Sequence, residues 1–175
     1  MDRSEQSQAF EAHWRSLCQG RSMPHTSDFD PLAIADLIPV LFELFVRDGE
    51  TFSARIRFAG GDVRDTAKTE VTDTDFMSYV PDDRIDATRG RILGSYGQPC
   101  GLCQINPMSS GGGSLIQLEL TGFPMASDDF DAVLFGTVVA LEDDITDQSA
   151  IERLERARNI IWIDTGNGIP PSDFG

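Results

Sequence analysis

Lysine is almost missing from this 175-residue sequence: Lys68 stands alone, and arginine supplies the rest of the 14 basic residues. Acidic residues number 29, which sets the formal charge at −15. A chain this short of cations lacks the clustered Lys and Arg that neutralise phosphates, which argues against a nucleic-acid partner. Cysteine is scarce and odd in number, with Cys18, Cys100 and Cys103 only, so no secreted disulfide framework is expected. Histidine is scarcer still: His13 and His25 both lie in the N-terminal segment, far from the Cys100 and Cys103 pair, and no four-ligand zinc set can be drawn. Long apolar runs are absent too. Leu37 to Val46, interrupted by Glu43, and Ala132 to Leu141 fall well short of the roughly 20 residues of a membrane span. The first residues, Met1 to Gln8, carry no apolar signal-peptide core. The expectation is a cytoplasmic protein without a membrane span.

What is present is the composition of a globular domain: 40% hydrophobic residues, 25% charged, and 11 Phe to fill a core. From Glu5 to Gln19 the apolar positions Phe10, Trp14, Leu17 and Cys18 form one stripe of an amphipathic helix, and Gly20 ends it. Asp30-Pro31 caps a short helix through Leu37, closed by Pro39. Val40 to Arg47 and Thr51 to Ala59 read as two strands. A three-residue loop, Asp48-Gly49-Glu50, collects Phe42, Leu44, Val46, Phe52, Ala54, Ile56 and Phe58 on one face and places Glu43 opposite Arg55 on the other.

After Gly61 a polar stretch runs to Tyr79, with short helices expected near Val63 to Thr66 and Asp75 to Tyr79. Asp82 to Ser95 is a clearer helix, acidic at its start and carrying Arg89 and Arg91 towards its end, as the helix dipole favours. Ile85, Thr88, Ile92 and Tyr96 lie near one side of it. Strands follow at Gly101 to Met108, Leu115 to Phe123 and Ala132 to Leu141, joined by hairpin connections. The last is apolar on both faces and should be central. From Asp147 the positions Ile151, Leu154, Arg158 and Ile161 step by three, four and three, which predicts a closing helix over 147–163, with an irregular tail at 164–175. The fold class is α+β, with a five-stranded antiparallel sheet and helices packed on it. The divisions are a helical cap at 1–39, a core at 40–146, the closing helix and the tail.

Motifs with chemical potential have plainer readings. Cys100-Gly101-Leu102-Cys103 has the spacing of a redox pair, but strand-like residues and Pro107 follow where a thioredoxin-type site needs a helix. The two cysteines are expected to be structural, their side chains on opposite faces of a strand. Gly111-Gly112-Gly113 has no following Lys and leads into a strand, unlike a phosphate loop. Asp128, Asp129 and Asp131 lack the distal Glu of a calcium loop. Asp164-Thr165-Gly166-Asn167-Gly168 resembles the glycine box of histidine-kinase ATPase domains, yet nothing upstream supplies the asparagine that holds magnesium. No catalytic set and no metal site are identified, and a non-enzymatic role is expected.

The element order resembles a PAS domain, a sensory and interaction module of bacterial signalling. Asp144-Ile145-Thr146 resembles the junction that joins PAS cores to a signalling helix. Trp14-Arg15-Ser16-Leu17, Gly20 to Pro24, Asp30-Pro31, Leu37-Ile38-Pro39 and Arg55 to Gly60 resemble a family of small stand-alone bacterial PAS proteins. The likeness spans about Phe10 to Thr146. It implies signalling through protein–protein contact in two-component, cell-cycle or motility control. The flavin-binding and haem-binding versions of the fold need an Asn-Cys-Arg motif or a His on the long helix; neither is present, and no cofactor is expected. Self-association as a homodimer is expected through Phe10, Trp14 and Leu17 and through Ile151, Leu154 and Ile161, with a histidine kinase or other signalling protein as a further partner. The alternative is a receptor for an apolar or acyl ligand, held by Phe58, Phe76, Tyr79, Ile92 and Leu118 between the helical middle and the sheet.

Overall fold

The computed structural model describes residues 2–141 and 147–171. Asp144-Ile145-Thr146 lies outside the described residues. Helix α1 (Glu5–Cys18) starts where Ser4 accepts a hydrogen bond from the Ser7 amide, and ends in two left-handed residues, Gln19 and Gly20. Two 3-10 turns that meet at a kink at Ile34 fill Pro31–Val40 and lead directly into the sheet.

Strands β1 (Leu41–Asp48) and β2 (Phe52–Ala59) form the expected hairpin. Helix α2 (Gly61–Ala67), a 3-10 turn at Phe76–Tyr79, another at Asp82–Arg84 and helix α3 (Ile85–Gly97) make up the helical middle. Gly60, entering α2, has no room for a side chain, since a Cβ would stand 2.1 Å from the Ile38 carbonyl oxygen. Strands β3 (Gly101–Ser110), β4 (Leu115–Met125) and β5 (Ala132–Ala140) form the meander, and the sheet order begins β2-β1-β5-β4-β3, all pairs antiparallel. β5 is central, as its two apolar faces require: Leu134 enters one core cluster and Val133 and Phe135 the other. Gly136 is the close approach in the middle, where a Cβ would lie 1.8 Å from the Thr121 carbonyl oxygen.

The closing helix expected at 147–163 is not formed. Among the described residues that segment supplies two further strands, β6 (Ile151–Leu154) and β7 (Arg158–Ile163), both antiparallel to β3 on its outer edge, so the five strands become seven. The reason is local and tertiary together. Ile160-Ile161-Trp162-Ile163 is a β-branched and aromatic run, and the β3 edge offers unpaired backbone groups that a helix could not satisfy. Pro107, which has no N–H to give, falls in the gap between β6 and β7, where its carbonyl accepts the Glu155 amide at 2.6 Å.

The hairpin register departs from expectation throughout: Asp48 opposes Phe52, so the loop is Gly49-Glu50-Thr51 and each β1 residue pairs two positions further along β2 than expected, and a second departure follows at the far end of the hairpin. Val46 opposes Ala54 and Leu44 opposes Ile56, but Glu43 opposes Phe58, so Arg57 is an extra residue, a β-bulge. Phe58 is thereby turned to the face of Glu43 and stands 37% exposed, while Phe42, Leu44, Val46, Ala54 and Ile56 share the opposite, buried face. Arg55 opposes Phe45 and not Glu43, and donates to the Asp73 carbonyl at 2.8 Å. Residues 73–75 run alongside β2 and cap its edge, with the Ile56 amide donating to Thr74 O at 2.9 Å and the Asp73 amide to Ile56 O at 2.7 Å.

The two faces of the sheet carry different cores. On the outer face α1 lays Phe10 and Trp14 against Phe123 and Phe135, and the Trp14 indole donates to Pro124 O at 2.8 Å. Buried Glu119 accepts the Ser4 amide at 3.0 Å and the Ser4 hydroxyl at 2.5 Å, and Ser7 and Thr121 share a hydroxyl hydrogen bond of 2.8 Å. The Asp164 to Gly168 motif is tied into the same architecture. Asp164 accepts the Gly166 and Gly168 amides at 2.7 and 3.0 Å, and Thr165 and Asn167 donate to Pro99 O.

Candidate ligand site on the inner face of the sheet

On the inner face the helical middle stands off the sheet and leaves room. Asp75 sets one wall: its carboxylate accepts the Met77 amide at 3.0 Å and the Ala54 amide at 3.1 Å, which fixes the turn carrying Phe76 and Tyr79. The Tyr79 hydroxyl meets Thr74 Oγ1 at 3.3 Å. α3 sets the second wall. Its positions Thr88, Arg91, Ile92 and Ser95 recur at helical spacing and are all buried against the sheet. β3 is the floor: Leu102, Gln104, Asn106 and Met108 alternate on its inner face, and β6 with the residues after it forms the far rim.

Three adjoining spaces result, and Phe76 lines them all. The first, of about 130 Å³, is polar on one side, with Thr88, Arg91, Gln104 and Asn106, and apolar on the other, with Val80, Leu154 and Ile160. The second, of about 70 Å³, is wholly apolar, with Phe42, Ile56, Tyr79, Leu118, Ile151 and Leu154 around it. The third, of about 40 Å³, lies under Ile92. A separate groove of about 350 Å³ opens on the outer face between Phe29, Ile38, Glu43 and Phe58.

The polar wall has an incomplete hydrogen-bond set. Gln104 Nε2 donates to Asn106 Oδ1 at 2.6 Å and Asn106 Nδ2 donates to Glu155 O at 3.2 Å, but Gln104 Oε1 is buried with no partner among the described residues. Arg91, 6% exposed, donates from Nη2 to Thr88 Oγ1 at 3.2 Å. Burial, and after it the charge of Arg84, lower the pKa of the Arg91 guanidinium.

A PAS domain family model matches residues 2–138. The chain belongs to the PAS domain family. The α+β architecture with its curled antiparallel sheet is consistent with that membership. Comparison with curated proteins gives no match.

In this PAS domain Phe76, Tyr79 and Leu118 meet around the apolar space and Ile92 lies beside it, whereas Phe58, the fifth residue expected there, is on the opposite face because of the bulge at Arg57. The residues expected at an interface are placed otherwise. Phe10 and Trp14, each 1% exposed, and half-buried Leu17 pack on the chain's own sheet. Ile151 and Leu154 line the apolar space from β6, and Ile161 pairs with Cys103 in β7. Cys103 is buried on the outer face beside Thr121, and burial raises its thiol pKa; burial lifts that of Cys100 to about 11. Thr88, Arg91, Gln104 and Asn106 are the residues that sequence reading missed. The available signal was two amides, Gln104 and Asn106, at alternating positions of a strand whose neighbours are apolar, and an arginine adjacent to Ile92 on the apolar side of α3.

Proposed function

We propose that this PAS domain, a sensory and signalling module by family, works as a small-molecule receptor that holds its ligand between the helical middle and the inner face of the sheet. One observation carries the reading: an inner-face space of about 130 Å³ that joins a buried polar wall to apolar walls. A merely structural core would be filled, because native interiors leave few voids and buried polar groups find partners. The role is sensing and not catalysis, since Arg91, Gln104, Asn106 and Thr88 can bind and orient but form no nucleophile–base pair. Ligand occupancy would be transmitted through β6 and β7, which contribute Leu154 and Ile160 to the walls. The test is native mass spectrometry of the full chain as purified. A molecule bound at one equivalent, and lost in Phe76→Trp with folding intact, is the expected result; a wild-type chain that is empty as purified and takes up no small molecule added to it overturns the reading.

A second reading has its own observation. Leu32 is 78% exposed and Phe58 borders the outer groove, an apolar rim suited to self-association or to docking on a histidine kinase or other regulator in two-component, cell-cycle or motility control. Light scattering on the wild type and on Leu32→Glu with Phe58→Glu decides it: a dimer dissolved by the double change supports this reading, and a wild-type monomer removes self-association.

A further inference from the structure

Within the receptor reading above, on which this inference rests, the walls also specify what the ligand is. We propose that the inner-face site takes a small 2-hydroxy acid with a short branched apolar chain, its carboxylate towards Arg91, its hydroxyl donating to Gln104 Oε1, and its chain over Phe76. Gln104 Oε1 is an acceptor on a side chain 7% exposed, and it has no donor among the described residues; such an atom is costly unless a ligand or water supplies the proton. A carboxylate alone cannot supply it, because an ionised carboxylate only accepts. The ligand therefore needs an O–H or N–H next to its anionic group.

The charge argument is separate. Three arginines, Arg84, Arg91 and Arg156, line the same space in a chain of net charge −15, and two of them repel. Arg84 also meets Asp83 at 3.1 Å, and Glu155 lines the space with its carboxylate engaged by Arg153 Nε at 2.8 Å. Arg91 is the buried member, and its planar fork matches a carboxylate. An ammonium group would serve as the donor equally well in hydrogen bonding, but it would bring a cation among arginines, which favours the hydroxyl. Size sets the remainder. A void of about 150 Å³ accommodates a benzene ring, so the polar space of about 130 Å³ holds the head group, and the adjoining apolar space of about 70 Å³ takes a branched chain of a few carbons.

Titration calorimetry on the full chain, stripped by denaturation and refolding and checked by circular dichroism, tests this with four probes: 2-hydroxy-4-methylpentanoate, 4-methylpentanoate, 4-methylpentan-1-ol and inorganic phosphate. The hydroxy acid is expected to bind about tenfold tighter than the plain acid, the worth of one buried hydrogen bond, and the alcohol and phosphate are expected to be far weaker than either acid. Gln104→Met keeps the shape, removes the acceptor and should erase the tenfold preference of the hydroxy acid over the plain acid. Arg91→Gln should lose both acids. If Arg91→Gln does not fold, Gln104→Met alone decides. The alcohol or phosphate binding as tightly as the hydroxy acid, a preference that survives Gln104→Met, or no heat from any probe at millimolar concentration overturns the inference. A neutral molecule retained through purification would overturn the acid and leave the receptor reading standing; an empty chain that binds no probe ends both.

Discussion

The outer and inner faces of the one sheet have been built to different standards. Outside, α1 presses Phe10 and Trp14 onto Phe123 and Phe135, and Ser4, Ser7 and the Trp14 indole each have a hydrogen-bond partner on β4. Inside, the helical middle leaves adjoining voids, and Gln104 Oε1 has no partner among the described residues. The close aromatic packing under α1 gives stability, and an inner space with a polar wall sacrifices some of it. The contrast puts the aromatic packing of α1 and the site proposed for a ligand on opposite sides of the same strands, so stability and the proposed binding are separable by mutation.

The largest effect expected is on the outer face. Phe10→Ala should cost about 3 to 5 kcal/mol, through lost burial and a cavity that the aromatic neighbours Phe123 and Phe135 cannot close, read as a shift in the urea midpoint with an unchanged slope. A loss below about 1 kcal/mol would break the comparison, because α1 would then be an appendage and not half of the core. Next in size is Glu43 on the outer face, whose carboxyl burial raises to a pKa of about 7 despite Arg57. The unfolded chain releases this proton near pH 4.5 and the folded chain near 7, so the contribution is fully present below about 4.5 and is lost as pH rises to about 7. Glu43→Gln should therefore flatten that part of the stability–pH curve and stabilise the protein at pH 8 by on the order of 2 kcal/mol, measured by urea melts across pH.

On the inner face the expected cost is smaller. Phe76→Leu should destabilise by less than about 1.5 kcal/mol, because the ring already borders empty space, while changing what the purified chain retains by mass spectrometry. A larger stability loss with unaltered retention would show that the inner face is ordinary core. The smallest effect concerns the thiols. At pH 8 in the native state alkylation should reach half-buried Cys18 slowly and leave Cys100 and Cys103 intact, since burial raises the thiol pKa of both; all three should react in urea.

Much of this comparison was legible in the sequence. The α1 stripe, the five strands of the core and the two-faced β5 follow from period-3.6 and period-2 patterns that local physics enforces. Phe76, Tyr79, Ile92 and Leu118 were legible as neighbours of one another. Phe58 was not, because a bulge inserts one residue without any change in composition, and every later side chain then reverses face. The strands β6 and β7 were misread because Ile151, Leu154 and Ile161 fit a helical seam by spacing, while the feature that decides, an open β3 edge, exists only in three dimensions. The polar wall was hidden for a related reason: Gln104 and Asn106 look like surface residues until the strand carrying them is roofed by α3 and Phe76.

The pairing of β7 with β3 joins residues some 60 positions apart, Gly101 with Ile163, and together with β6 it places Leu154 and Ile160 as the last stones of the cavity wall. A chain emerging from the ribosome thus completes helices, hairpin and meander while the roofed chamber is still missing one side. In the receptor reading, a ligand present during synthesis would meet an open vestibule before the closing strands settle. The slowest step of maturation is then expected to be this long-range closure, because loop-closing entropy is lost before its contacts are gained. In the receptor reading, detachment of these strands from β3 would open one side of the chamber, so the stability of a sheet edge would enter the ligand's dwell time beside the affinity of the walls.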